Sequence, residues 1–309
     1  MKYYLCPLGK KSGSLVYSRQ QRVQLISTMN KANKKYTIRE LCRVLDIKSS
    51  SYYYQCQVKW VKPEVMQMIT TLKMTAVETN NTYGKRRMAK VLKNSGFQAG
   101  LYKTSTLMKQ ANIVAISPKK KHYYANSGEV HHKASNALNR QFNPGTINTH
   151  WVGDITFIRT YCGWSYLACV LDLGSRDIVG WAMSQQPNAE LAKEALKQAI
   201  QKQQPDTTQL LFHSDQGVQY SANSFIDYLN LFGITQSMSR RGNCWDNSVM
   251  ERFFRSLKTE RLNGLSFMNH AYASSVVDQY IYFYNHKRLH STIEYLTPSQ
   301  KRMELLNAA

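Results

Sequence analysis

His150-Trp-Val-Gly-Asp-Ile-Thr-Phe-Ile-Arg-Thr160, HWVGDITFIRT in one-letter code, is a run of apolar and β-branched residues broken by one acid, Asp154. Such a composition reads as a strand. A carboxylate inside an apolar strand costs several kcal/mol, roughly, unless it is paired or metal-bound. Asp154 is therefore harder to dismiss as a solvated acid than most.

Outward from this strand, period-2 runs alternate with helical ones. WSYLACVLDL (164–173) and DIVGWAMS (177–184) read as two further strands joined around Gly174-Ser175-Arg176. NAELAKEALKQAIQKQ (188–203) reads as an amphipathic helix burying Leu191, Ala195, Leu196 and Ala199. TQLLFHSD is a buried strand ending on Asp215, SANSFIDYLNLFG a helix closed by Gly233, and ITQSMS a short strand. After the turn RRGNCWDN, one long helix is expected from Ser248 to Leu262. The pattern predicts a mixed α/β domain, a central sheet flanked by helices.

Three acids fall at informative places in it: Asp154 within a strand, Asp215 at a strand's carboxyl end, Glu251 in a helix's first turn. Strand ends are where α/β sheets gather their sites. Each of the last two also has an ordinary reading. Asp215 in HSDQG suits a turn, and Ser248-Val249-Met250-Glu251 fits the capping box S-x-x-E. Three carboxylates on separate elements nonetheless suit phosphodiester chemistry, in which two Mg²⁺ ions roughly 4 Å apart activate the attacking oxygen and stabilise the leaving one.

Charge divides the chain. Residues 1–140 carry 26 basic and 5 acidic residues, and residues 141–309 carry 15 and 14. A basic arm on a near-neutral body points to a polyanionic partner, with nucleic acid favoured over a membrane surface or a ribosome. Within the arm, residues 19–31 and 37–46 read as helices, the second capped by Thr37 with Ile38, Leu41, Val44 and Leu45 inward. SSYYYQ opens a third, which gives a helix-turn-helix outline. Pro63 opens a helix over about 64–77. YGKRRMAKVLKNSGF follows, with Met88, Val91 and Leu92 on one face and Lys85, Arg86, Arg87, Lys90 and Lys93 around the rest. A short helix from Lys103 to Ala111, capped by Thr104 or Ser105, completes a second such unit, and its basic face is expected on DNA. Four segments result: 1–60, 61–116, a basic linker 117–145 with Tyr123 and Tyr124 beside three lysines, and 146–309.

Other chemistries find little support. Cys6, Cys42, Cys56, Cys162, Cys169 and Cys244 form no C-x-x-C, and His122, His131 and His132 stand at no zinc-finger spacing. No apolar run reaches the roughly 18 residues of a membrane span, and the start lacks a signal-peptide core. A cytosolic protein is expected.

The acids acquire specificity from register. Asp215 and Glu251 have 35 residues between them, and Lys258 follows Glu251 by seven, about two helical turns on the same face, with Arg255 in the same stripe. WVGDIT, FHSDQGVQY and DNSVMERFFRSLKTE together resemble the three motifs of the retroviral-integrase-like DDE recombinases. The nearest resemblance is to bacterial transposases of the insertion-sequence-three family, in their second-frame product, OrfB. YNHKRLHSTIEYLTPSQ (284–300) resembles that family's closing signature through Tyr284, Asn285, Arg288 and His290, and YGKRRMAKVL resembles its helix-turn-helix segment. The match runs from about residue 36 to 302.

The resemblance implies a ribonuclease-H-like integrase core behind all-α helix-turn-helix segments. Asp154, Asp215 and Glu251 would bind two Mg²⁺ or Mn²⁺ ions. Water would cut the element's end, and the freed 3′-OH would attack a second strand. Lys258 and Arg255 would hold phosphates, with Asn247, Arg288 and His290 as lesser contacts around the site. Asp172 and Asp177 match no motif and read as turn or strand-edge acids. Implied partners are the element's terminal repeats, target DNA and further copies of the chain on DNA, in a bacterial cytoplasm at the nucleoid. Family members commonly act fused by frameshifting to an upstream product, OrfA, with a leucine zipper, and no heptad run of three turns occurs here. Two other readings stand: a DNA-binding accessory subunit that does not cleave alone, and a nuclease of the same fold that cuts without joining.

Overall fold

Thr37 closes a full capping box: its Oγ1 accepts from the Glu40 amide while Glu40 Oε2 accepts from the Thr37 amide. This starts α2 (Ile38–Val44), between α1 (Arg19–Ala32) and α3 (Ser49–Cys56). The computed structural model describes residues 17–32, 36–56, 62–117, 134–240 and 243–308. His122, His131, His132, Tyr123, Tyr124, the lysines beside them and Cys6 lie outside these. The chain divides into two units, residues 1–65 and 66–309.

In the first unit Val23, Ile26, Leu41, Cys42 and Tyr52 form the core, with Ile38 and Leu45 packed against it. Val44, expected inward, is 71% exposed. At 100° per residue it falls about 100° off the Ile38–Leu41–Cys42–Leu45 stripe, and in a helix of two turns nothing reaches around to cover it.

Helices α4 (Pro63–Glu78), α5 (Lys85–Asn94) and α6 (Leu101–Gln110) come next. Met88 and Leu92 of α5 and Leu107 and Met108 of α6 are buried as expected, and α5 ends with Gly96 at positive φ. The start of α6 corrects the sequence reading. Gly100 is the N-cap, and Thr104 lies inside the helix, its hydroxyl donating to the Gly100 carbonyl. Residues 134–149 have no helix and no strand before β1.

The rest of the second unit is built on β1 (His150–Thr160), β2 (Gly163–Asp172), β3 (Ile178–Ser184), β4 (Leu211–Ser214) and β5 (Thr235–Met238). They form one sheet in the order β3-β2-β1-β4-β5. The first three pair antiparallel, and β1, β4 and β5 run parallel. Helix α7 (Ala189–Gln203), the short α8 (Val218–Ser221) and α9 (Asn223–Leu231) cover one face. Helix α10 (Ser248–Leu257), a π-helical turn over Lys258–Leu262 and α11 (His270–His286) cover the other. Trp151, Ala168, Val170 and Phe212 point to the first layer; Val152, Ile158, Leu167 and Leu171 point to the second. Burial on both faces is why β2 reads as an almost unbroken apolar run. Gly153 admits the Phe212 ring, which a Cβ there would strike, and Gly180 lets α7 approach the sheet at Ala195 and Ala199. Helix α12 (Pro298–Ala308) closes the chain.

The closing signature is a clasp. Asn285 hydrogen-bonds both the amide and the carbonyl of Ile178 on β3, and the Tyr284 ring packs edge-on against Phe253 of α10 at 4.9 Å. Buried Asp172 holds the β2–β3 turn through the amides of Asn148 and Ser175 and the Ser175 hydroxyl. Asp177 is buried too, which pushes its carboxyl up to about 6.

Candidate active site

Strand alternation and register bring two of the acids together. Val152 of β1 pairs with His213 of β4; Asp154 lies two residues further along β1, and Asp215 follows directly on the last residue of β4. Alternation puts Asp154 on the α10 side of the sheet with Val152, and Asp215 is near enough for its charge to act on it. The Ile155 amide donates to Asp154 Oδ1 at 2.7 Å, and the Gly217 amide to Asp215 Oδ1 at 3.0 Å. Burial pushes the Asp154 carboxyl well above the usual range, and the charges of Asp215 and then Glu251 push it further. The nearby Lys258 ammonium opposes this. Burial also raises Asp215, and partial burial raises Glu251. Tyr220 is buried close to Asp154 and Asp215, and Cys169 faces Asp154 across β2.

Glu251 reaches the site through a differently built helix start. The capping box expected at Ser248 does not form: Asn247 is the N-cap position, with no side-chain cap bond, and Ser248 is already helical. A 3₁₀ turn over Cys244–Asn247 sets this frame. Within it Asp246 is buried and takes hydrogen bonds from Arg140 Nε (2.7 Å), Arg240 Nε (3.0 Å) and Asn136 Nδ2 (2.9 Å). Its neighbouring guanidiniums hold its carboxyl well below the usual range. Buried Asn247 then donates to the Gly153 carbonyl at 3.5 Å, fastening the head of α10 to β1 beside Asp154. The acid and its neighbour in WDN thus position Glu251. A polar pair directly before a helix was the signal for it.

Lys258 lies at the end of α10, where the expected uninterrupted helix to Leu262 instead opens into the π-turn. Such turns recur at functional sites because one inserted residue re-aims its neighbours. Lys258 still comes near enough to Asp154 to favour its ionised form. Arg255 is exposed on the same helix.

The basic residues of α5 separate into two groups. Lys85 and Arg86 are exposed and Lys90 is partly so. Arg87 turns inward to Glu260 at 3.7 Å and lies over the Tyr83 ring. Arg288 is buried and clamps Glu260 with both arms, Nη2 to Oε1 at 2.6 Å and Nε to Oε2 at 2.8 Å. Tyr280 donates to the same carboxylate at 2.9 Å. The Tyr83 hydroxyl donates to the Lys287 carbonyl and accepts from the Leu289 amide. Arg87 and Arg288, read from sequence as DNA contacts, are thus spent inside the fold. They join α5 to the π-turn and the closing signature. His290 is largely buried, and burial together with four neighbouring arginines lowers its imidazole to about 3. His213, beneath Asp215, is buried between Ser237 Oγ (2.9 Å) and Ser239 Oγ (3.1 Å), and burial takes it down to about 4.

The donor set fits hard divalent cations: three carboxylates on separate elements, with the charges of Asp215 and Glu251 both acting on Asp154. Among the described residues, no three His, Cys, Asp or Glu side chains already close into a cage. No helix there is long and apolar enough to cross a membrane.

Comparison with known proteins agrees with this architecture. Residues 146–244 and 232–298 match models described as integrase core domain, and residues 72–121 match an HTH-like domain. The transposase for insertion sequence element IS904 of Lactococcus lactis is 35% identical over 240 residues, covering 77% of this chain and 94% of that protein. Transposase InsF for insertion sequence IS3A of Escherichia coli is 31% identical over 280 residues, covering 88% and 96%. The magnesium complex of the HTLV-2 integrase catalytic core domain is a solved structure similar to 51% of this chain and 97% of its own, at 16% identity and a TM-score of 0.39. With an integrase-core segment containing Asp154 and Asp215, an HTH-like segment ahead of it, and these relatives matched over most of their length, the chain belongs to the insertion-sequence-three family of transposases.

Proposed function

We propose that this chain catalyses the cutting of an insertion sequence's ends and the joining of the freed 3′-OH to a second DNA strand, with Asp154, Asp215 and Glu251 as its metal-holding acids. The observation that carries the reading is the closeness of Asp154 on β1 to Asp215 just past the end of the parallel neighbour β4, where the Asp215 charge raises the Asp154 carboxyl. Two Mg²⁺ or Mn²⁺ ions bound there would supply an activated oxygen nucleophile and charge stabilisation at the leaving oxygen. The remaining work belongs to the side chains. The Ile155 and Gly217 amides hold one oxygen of each aspartate in place, which leaves the other oxygen of each for a ligand. Lys258, beside Asp154, brings a positive charge to a phosphate in reach of the acids. Arg255, exposed one turn before it, extends that charge along α10, and Lys85, Arg86 and Lys90 give α5 a DNA-facing surface. His290 and Asn247 support the surroundings of the site.

Assembly on DNA with further copies, fusion to an upstream-frame partner and residence at the nucleoid belong to the same proposal. The test uses purified full-length protein and a duplex carrying the element's end. Asp154→Asn, Asp215→Asn and Glu251→Gln should each abolish Mg²⁺-dependent cleavage and, with a pre-cut 3′ end, strand transfer. Persistence of either activity in a folded variant removes that residue from the centre.

A further inference from the structure

Beside Glu251 a cavity of about 880 Å³ runs between α10, the π-turn and the closing signature. Its size lies within the about 300–1,000 Å³ typical of ligand sites. Five arginines line it, Arg87, Arg176, Arg252, Arg255 and Arg288, against two acids, Glu251 and Glu260. Glu260 is taken by Arg288 and Arg87. Among the described residues no ion pair joins Arg176, Arg252 or Arg255 to any carboxylate, although Arg252 and Arg255 share a helix with Glu251.

Arg176 is the least expected of them. It sits in the β2–β3 turn at positive φ and is 4% exposed. Its Nη2 donates to the Phe142 carbonyl and to Asn143 Oδ1, but its buried Nε has no partner. A buried donor left unpaired on a guanidinium is costly and calls for an acceptor. His290 marks the convergence: Arg288, Arg176, Arg87 and Arg252 all lie close enough to act on its ring. The Thr292 amide donates to His290 Nδ1 at 3.4 Å, which leaves the other ring nitrogen as a donor. Two of these guanidiniums share Glu260 and Arg176 has Asp172 within reach, which leaves a net positive wall whose charge an anion in the cavity would offset.

We propose that this cavity is a phosphodiester subsite, in which Arg252, Arg176 and the His290 ring hold a backbone phosphate of the DNA strand as it passes Glu251. It rests on the reading of the three acids only for its location. A phosphate presents acceptors on several sides, which suits convergent guanidiniums better than a carboxylate would. A free polyphosphate shares that chemistry, so the test separates the two.

The experiment measures binding of full-length protein to a fluorescein-labelled duplex with a single-stranded tail, in EDTA, between 50 and 200 mM salt. Removing one phosphate contact should lower the salt slope by about 0.9 and weaken binding about eightfold at 0.1 M salt. Arg252→Ala is expected to show this and Arg252→Lys to recover most of it. Arg252→Glu should lose more, and Arg255→Ala serves as a second exposed variant on the same wall. Wild-type slope and affinity in Arg252→Ala would overturn the proposal, whatever Arg255→Ala shows. So would loss of competition by sodium tripolyphosphate with DNA binding unchanged, which assigns the cavity to a small polyphosphate. Because binding is read without metal, a wild-type protein that binds in this way yet fails to cleave in Mg²⁺ would count against the catalytic reading alone.

Discussion

Replacing Glu260 with alanine tests what holds the active-site helix in place. Its side chain is 10% exposed and that of Arg288 5% exposed, so the pair lies essentially out of water. The carboxylate accepts two bonds from Arg288 (2.6 and 2.8 Å) and one from Tyr280 (2.9 Å), with Arg87 at 3.7 Å. Breaking a buried pair by removing one member costs about 3–5 kcal/mol, because the other charge stays behind. Here two arginines stay behind, within a cluster that already contains Arg176 and Arg252, so the upper part of that range is expected. Glu260→Gln preserves shape and one acceptor and should cost about half as much.

With a urea slope of about 1–3 kcal/mol/M, Glu260→Ala should move the midpoint of the second unit's transition down by more than 1 M, roughly. Glu260 also lies in the π-turn that begins at Lys258. Where the alanine variant stays folded in buffer, cleavage should fall through kcat while DNA affinity holds or rises, since a negative charge has been removed. The Arg288→Met, Glu260→Met double variant should recover much of the stability, as paired apolar replacements do. An unfolding free energy for Glu260→Ala within about 0.5 kcal/mol of wild type would refute the buried-clamp reasoning. A double variant as unstable as the sum of its singles would do the same for the claim that the two residues act as a pair.

Three other outcomes follow from the geometry. Asp154→Asn should raise the thermal midpoint of the metal-free protein at neutral pH, because a carboxyl raised in the fold favours the folded state when protonated and opposes it once ionised; it should also abolish any stabilisation by Mg²⁺, and an unchanged or lower midpoint contradicts the crowding of charge inferred here. His213 is held neutral down to about 4 against an ordinary 6.5, so its contribution is intact above pH 6.5 and is lost as pH falls toward 4, where the unfolded chain takes up the proton; His213→Gln should flatten the acid side of the stability–pH curve relative to wild type, and parallel curves would count against it. Arg86→Ala should weaken DNA binding and leave the urea midpoint alone, whereas Arg87→Ala should lower the midpoint; the reverse pattern would mean that the two faces of α5 have been exchanged.

Much of this was legible in local sequence. Strand β1 with Asp154 inside it, β4 ending at Ser214 one residue short of the expected Asp215, and the inward faces of α5 and α7 all follow from period and turn chemistry. What was not legible depends on contacts between distant segments. S-x-x-E at Ser248 matches a capping box, yet Asp246, held by Arg140 and Arg240, fixes a 3₁₀ turn that makes Ser248 already helical and frees Glu251 from a capping role. The seven-residue offset to Lys258 assumed a regular helix, and the π-turn appears where Arg288 and Arg87 converge on Glu260. Five basic residues crowded into one short helix suggested a uniform DNA face. Only the fold shows that Arg87 points the other way. Arg176 gave the weakest signal: in Gly174-Ser175-Arg176 it reads as an ordinary surface turn, yet it is buried.

The charges along α10 explain why the site looks unfinished. Glu251, Arg252 and Arg255 share one short helix, and Glu251 and Arg255 stand at the spacing at which opposite charges usually pair. Among the described residues they do not pair. The acid instead stands near enough to add to the charge on Asp154, while Arg252 stands near Arg176 and His290. Although all three line one cavity, the acid and Arg252 act on different neighbours, so the negative and positive groups form two unpaired sides of the charge balance, and each side bears the repulsion of its own kind. Internal pairing would have relieved both at once and made the fold more stable. A substrate that is itself a polyanion, brought to acids that take cations, relieves the two sides separately: phosphate on the arginines, divalent ions on the carboxylates. On the proposed reading, pairing Glu251 with Arg255 would remove a ligand and a phosphate contact in one step. The absence of that one ion pair is, on that reading, a requirement of the chemistry, and Asp154→Asn should give back what burial and the neighbouring acids cost the metal-free protein at that position.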